Sequence, residues 1–238
     1  MRIWRRSSGH RLRRKAAACG ALAAFAVLSI GLAAVEASAQ EAPSAESAPT
    51  EAADPTGARK VVEETLRSVL AVLDQRDVPS DERRRQIEQI AYQRFDFVTM
   101  SKLVVARPWR KFSKEQKKSF ISEFRQHLSR SYGKRIDRYQ QTDLEVAGHV
   151  MEPRGDVTVR TVIATGEFEG TEVDYRMRYR SGRWRAIDVV IEGISLVSNF
   201  RSQFQPILSQ GGPEELLRRL AEKNAELAAE DAAGVESR

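Results

Sequence analysis

The sequence predicts an α+β protein in which a four-stranded curved antiparallel sheet packs against a helical half. Three features point to it. Apolar residues recur at three- and four-residue spacing as far as Tyr139, and from Leu144 the spacing changes to two, so helices precede strands rather than alternating with them. The strand-like segments are joined by connections too short for parallel crossovers, which makes neighbours antiparallel. The stretch from Gly182 to Phe204, GRWRAIDVVIEGISLVSNFRSQF, passes from strand to turn to helix with little loop and ties the two halves together.

Residues 1–39 read as a cleaved secretory signal peptide. Seven cations occupy the first 15 positions, an apolar run follows from Ala16 to Val35, and Ala37-Ser38-Ala39 supplies a small-residue cleavage site before Gln40. A retained membrane anchor is the bland alternative, because the run approaches the length of a span. Cys19 leaves with the signal, so the mature chain has no thiol for a disulfide, a nucleophile or a metal. Charge changes with it. The full chain holds 39 cations and 33 anions; the leader takes seven of the first and one of the second, leaving 32 of each. The basic balance of the whole chain therefore gives no reason to expect nucleic acid as a partner.

Residues 40–57, rich in Ala, Glu, Pro and Ser, read as a disordered linker. The folded domain is assigned to residues 58–229 and a disordered tail to 230–238. Val61, Val62, Leu66, Val69, Leu70 and Leu73 mark a first helix. A second runs from Ser80, which can cap it, to Tyr92, and a third carries Phe95, Phe97, Met100, Leu103 and Val104 before Pro108. Ser113 and Gln116 form a capping box for the longest helix, to Tyr139, whose stripe is Phe120, Phe124, Leu128, Tyr132, Ile136 and Tyr139. Between Ser101 and Tyr139 stand twelve cations and three anions. This is either a solvated helix face or a surface that meets anionic head groups or an acidic partner.

Four strands follow, over Leu144–Val150, Val157–Ala164, Thr171–Arg180 and Arg183–Ile191, with turns at Pro153–Gly155, Glu169-Gly170 and Ser181-Gly182. The third alternates cleanly, Val173, Tyr175, Met177 and Tyr179 on one face and charged residues on the other. The fourth is apolar on both faces and carries Asp188, a carboxylate that needs a partner there; Arg201 is the first candidate for a structural ion pair. Glu192 and Gly193 break this strand. Ser195 then caps a helix to Gln210, Gly211-Gly212 stops it, and Pro213 opens another to about Ala229.

Chemistry-bearing motifs are few. Outside the leader only His127 and His149 remain of three histidines, without a carboxylate at metal-site or general-base spacing, so no metal and no catalytic residue is assigned. Asp188 and Glu192 leave open a small pocket enzyme acting on an apolar substrate.

The run W-R-x-I-D-V-V-I-E-G-I-S-L-V-S-N-F-R-S-Q-F with its following Gly-Gly, the R-F-D-F-V-T-M-S segment at Arg94–Ser101 and P-W-R-K-F-S-K-E-Q at Pro108–Gln116 together resemble the MlaC family, periplasmic phospholipid carriers also described as toluene-tolerance proteins. The resemblance covers most of Val61–Leu220. It implies a carrier rather than an enzyme, with no cofactor and a glycerophospholipid as cargo, tails buried and head group outward. It also implies an outer-membrane lipoprotein-porin complex and an inner-membrane ABC transporter with its MCE-type lipid-binding ring as partners. A related branch suggests a hopanoid or other lipid instead. A carrier must enclose acyl chains, since each exposed methylene costs about 0.8 kcal/mol. The expected apolar lipid pocket lies between sheet and helices, with Val159, Ile163, Val173, Tyr175, Met177, Val189 and Ile191 on the sheet and Phe120 and Phe124 as the opposite wall.

Overall fold

The computed structural model describes the backbone of residues 54–136 and 143–236 and the side chains of 54–133 and 143–231. The leader, nearly all of the expected linker and Tyr139 lie outside them.

Helix α1 (Pro55–Leu73) begins earlier than composition suggests. Asp54 accepts from the Thr56 N–H at 2.9 Å and Pro55 occupies the first turn, where its missing N–H costs nothing, so an Asp-Pro start signal sits inside the presumed linker. Ala58, Val62 and Leu66, spaced by four, form its buried stripe. Helix α2 (Ser80–Arg94) takes no side-chain cap, and Ser80 is its first residue rather than its cap. Arg83 instead closes the α1–α2 turn, donating to the Val78 carbonyl at 2.6 Å. Asp96 caps α3 (Phe97–Val105) through the Thr99 N–H and hydroxyl, while its own N–H donates to the Ala186 carbonyl at 2.9 Å. A 3-10 turn (Arg107–Lys111) leads to α4 (Lys114–Ile136), whose capping box forms as expected: Gln116 N–H to Ser113 Oγ at 3.1 Å and Ser113 N–H to Gln116 Oε1 at 2.9 Å.

The sheet has five strands, not four, in sequential antiparallel order: β1 (Leu144–Met151), β2 (Val157–Ile163), β3 (Val173–Arg180), β4 (Arg183–Ile191) and β5 (Ile194–Ser195). The extra strand arises at Glu192-Gly193. Both residues have positive φ, 50° and 76°, so they make a two-residue hairpin turn and return the chain to pair Val190 with Ser195 and Ile191 with Ile194. The same geometry joins β3 to β4 at Ser181-Gly182. Register shifts between Val146 and Gly148 and between Arg176 and Met177 mark bulges, which bend a sheet. Helix α5 (Leu196–Glu236) is two helical runs broken at Gly212, with φ 68° and ψ −162°, as the Gly-Gly-Pro signal requires. It continues through the expected tail as far as Glu236.

Two larger apolar cores result, beside a small cluster of Val72, Leu73 and Ile87 between α1 and α2. One is wholly helical, built by α3, α4 and α5 around Met100, Phe120, Phe124, Phe200, Phe204 and Leu216. The other joins α1 to the sheet through Val62, Leu66, Val157, Val159, Met177 and Ala186. Phe95, between α2 and α3, packs against both.

Candidate functional site

The register decides which of the seven sheet residues share a face. Val157 lies opposite Met177, Val159 opposite Tyr175, Tyr175 opposite Val189 and Val173 opposite Ile191, and directly opposed residues project to the same side. Val159, Ile163, Met177 and Val189 are buried there; Val173, Tyr175 and Ile191 are half-buried. The expected sheet wall is therefore one continuous surface. The expected opposite wall is not. Phe120 and Phe124 stack on each other in the helical core, 5.6 Å between centroids, and meet Phe200 and Phe204 rather than the sheet. Their stripe buries itself against α5 because α5 presents Phe200 and Phe204 at the same spacing, a pairing that periodicity in one helix does not reveal.

The wall facing the sheet is α1. Ala58, Val62 and Leu66 close on Val157, Val159, Met177, Trp184 and Ala186, with Val61, Phe95 and Tyr175 at the margin. Gly57 permits the approach: a Cβ there would stand 3.0 Å from Trp184 Nε1. Between α1 and the sheet remains a cavity of about 10 Å³, lined among others by Val62, Leu66, Phe95, Tyr175 and Met177. That is roughly the room one water needs. Val61 and Arg94 line both this cavity and a neighbouring open groove of about 560 Å³, bordered also by Lys60, Glu64, Arg183 and Trp184. Arg94 lies 3.6 Å from Glu64. The mouth thus sets three cations, Lys60, Arg94 and Arg183, against one carboxylate beside an apolar seam.

Asp188 holds the sheet to α5 by a different route from the one expected. It is 1% exposed; its Oδ2 accepts from Ser195 Oγ at 2.6 Å and its Oδ1 from the Val197 N–H at 3.1 Å. Ser195 Oγ in turn caps Ser198 N–H at 3.0 Å. Arg201 is not its partner. Both Nε and Nη2 of Arg201 donate to the Leu103 carbonyl, at 2.9 and 2.6 Å, capping the end of α3. The cation nearest Asp188 is Arg176, at 3.9 Å and 41% exposed, a weak pair. β5 explains the change: the extra hairpin brings the helix start, with its free N–H groups, over the carboxylate, which suits an anion.

A bidentate pair the sequence did not disclose joins Arg178 to buried Asp156, at 2.6 and 2.5 Å, and the hydrogen-bonded carboxylate pushes the guanidinium pKa up. At Asp96, burial works against the carboxylate, but its two Thr99 bonds outweigh that and hold its pKa below the ordinary range. Asp188 and Glu192 are engaged separately, Glu192 accepting from the Glu172 N–H at 2.6 Å on the exposed side of the turn. Among the described residues no three of His, Cys, Asp and Glu gather as metal ligands, and no helix is long and apolar enough to cross a membrane.

A solved structure from Ralstonia solanacearum, described as that of a phospholipid-binding protein in complex with a phospholipid, shares the fold with a TM-score of 0.66. It is 24% identical, over 72% of this chain and 98% of that chain. The family model described as MlaC protein matches residues 60–222, from the first turns of α1 to the second run of α5. With more than half of the sequence matched and every element of the sheet and its covering helix inside or touching that span, the chain belongs to the MlaC family.

Proposed function

We propose that this protein binds a phospholipid and carries it through the periplasm between the outer and inner membranes, helping to maintain the lipid asymmetry of the outer membrane. The observation that carries the reading is the apolar sheet face, of which Val159, Tyr175 and Met177 pack under a single N-terminal helix, opening beside Lys60, Arg94 and Arg183. Acyl tails suit the first part and a phosphate the second. The phospholipid held by the Ralstonia protein on the same fold supports it. The mouth favours a phosphate-bearing lipid over a hopanoid, which offers nothing anionic for those cations.

Pockets for small-molecule ligands already run to about 300–1,000 Å³, far above the 10 Å³ seam, so loading parts α1 from the sheet and acyl chains take over its apolar contacts. This exchange of one apolar neighbour for another makes the step inexpensive once the head group is held. The leader supports export, and the transporter ring and the lipoprotein-porin complex are the partners this role calls for.

Lipid extracted from the purified protein and identified by mass spectrometry tests the reading. Phospholipid is expected; hopanoid would overturn the head-group assignment, turnover of a lipid ester the carrier role, and absence of lipid the carriage itself. Leu66→Trp or Met177→Trp should fill the seam and lower lipid content while circular dichroism holds. Phe124→Trp should overpack the helical core, cost about 1–3 kcal/mol and leave lipid content intact.

A further inference from the structure

A second charged surface lies on the helical half. Within twelve residues the 3-10 turn and the first turns of α4 bear Arg107, Arg110, Lys111, Lys114, Lys117 and Lys118. The single anion among them, Glu115, accepts a hydrogen bond from Ser113 Oγ. Several surface cations elsewhere are paired on their own helices, as Arg59, Arg85, Arg218, Arg219 and Lys223 are. Among the described residues none of these six stands in an ion pair. Like charges so crowded repel one another, a cost with no return inside the fold.

The platform is also rigid and shaped. Ala106 enters it at φ 59° and ψ −131°, a conformation an L-residue adopts only where its surroundings impose it. Arg201 and Gln205 of α5 hold the preceding carbonyls of Leu103 and Val105. Half-buried Trp109 stacks on Phe112 at 5.5 Å, and Lys117 Nζ lies 5.9 Å from its ring centroid. Its indole is thus set among cations, with its inner face packed.

We propose that this face docks the protein on an anionic phospholipid bilayer, with Trp109 at head-group depth and the six cations over the phosphates. The composition selects a membrane over an acidic protein. Four of the six are lysines, which act as point charges toward a diffuse anionic surface, whereas forked recognition of carboxylates favours arginine. A tryptophan amid lysines suits the bilayer interface. The inference goes beyond lipid carriage and is separable from it, because docking is read on vesicles whatever the cargo.

The test is co-sedimentation of the chain from Gln40 onward, without the leader, with phosphatidylcholine vesicles, with and without phosphatidylglycerol as minor component. Binding is expected only with phosphatidylglycerol and should fall as salt shortens the screening length. Each cation near the surface is worth about a five-fold factor. The triple variant Lys111→Gln, Lys114→Gln, Lys118→Gln should therefore bind about 100-fold more weakly, with circular dichroism and melting unchanged because all three are exposed. Arg218→Gln, Arg219→Gln, Lys223→Gln removes the same charge from α5 and should change binding less than five-fold. Equal loss in both triples would overturn the assignment to this face. So would equal binding to both vesicles, or binding to polyglutamate with none to vesicles, which would make the partner an acidic protein.

Discussion

Replacing Asp188 by Ala removes two hydrogen bonds, of 2.6 and 3.1 Å, from a site that is 1% exposed, and leaves the Val197 N–H facing a small cavity. Hydrogen bonds to a charged group contribute about 1.5–3 kcal/mol each and a stranded buried donor costs about 1–3 kcal/mol, so the variant should lose about 3–5 kcal/mol. With a urea slope of about 2 kcal/mol per molar, the midpoint falls by about 2 M. Urea titration followed by the fluorescence of buried Trp184 measures it. Asp188→Asn keeps an acceptor for Val197 and a donor for Ser195 Oγ, and should lose only about 1–2 kcal/mol. The sharper check is a cycle with Arg201→Met, which on its own uncaps Leu103. Asp188 and Arg201 share no hydrogen-bond partner, so the two losses should add to within about 0.5 kcal/mol. Arg176→Met should cost under about 1 kcal/mol, as its pair is long and half exposed. A coupling above about 1.5 kcal/mol between Asp188 and Arg201, or an unmoved midpoint in Asp188→Ala, would refute the reasoning.

Stability should also depend on His127. Burial holds its imidazole below the ordinary range, partly offset by the bond between Nδ1 and Asn224 Oδ1 at 3.0 Å. A depressed folded pKa means the native state binds protons less readily than the unfolded chain. The contribution is therefore complete above about pH 6.5 and is lost as pH falls through the folded value, by at most about 1.4 kcal/mol per unit. Urea midpoints across that window should flatten in His127→Gln. Asp156→Ala strands a guanidinium that is 30% exposed, and should cost about 2–3 kcal/mol, less than a fully buried pair. Adding Arg178→Met should recover part of it in the same titration. In the β3–β4 hairpin, Ser181 and Gly182 have φ of 51° and 77°. Ser181→Asn should raise the melting temperature by about 1–2 °C and Gly193→Val should lower it, as scanning calorimetry would show.

Helices and strands were legible because each carries its own period, and because the caps at Ser113 and Gly212 are chemical signals of a residue or two. What failed were places where a local signal had two meanings. Glu192-Gly193 reads as a break, and a break it is, but two consecutive positive φ values make it a hairpin as well. A two-residue strand has no period from which to be recognised. Asp54-Pro55 was hidden for the opposite reason: a start signal inside a stretch of linker-like composition loses to the average around it. The charged end of α5 likewise reads as a tail, although Glu230, Ala232, Ala233 and Glu236 within it are strong helix formers.

The site shows where one-dimensional reading gives out more fundamentally. Alternation along β2 and β3 placed five residues on common faces, because parity is a property of the strand itself; β4 is apolar on both faces, and only the register set Val189 and Ile191 on the same side. The opposite wall is a property of a pair of elements. Phe120 and Phe124 and the α1 stripe are both apolar stripes, and the aromatic one drew the assignment. Its match is Phe200 and Phe204, with ring centroids 5.3 to 6.2 Å apart, whereas a sheet crowded with β-branched side chains accepts a narrower ridge. Ala58 and Gly57 supply that ridge, small enough to bring α1 against Trp184 and Ala186. The same choice bears on the proposed carriage. Rings interlocked as in the helical core would resist separation, while a seam of Ala, Val and Leu side chains against a sheet offers acyl chains a surface like their own. The element that closes the site is accordingly the one whose contacts a lipid can best replace.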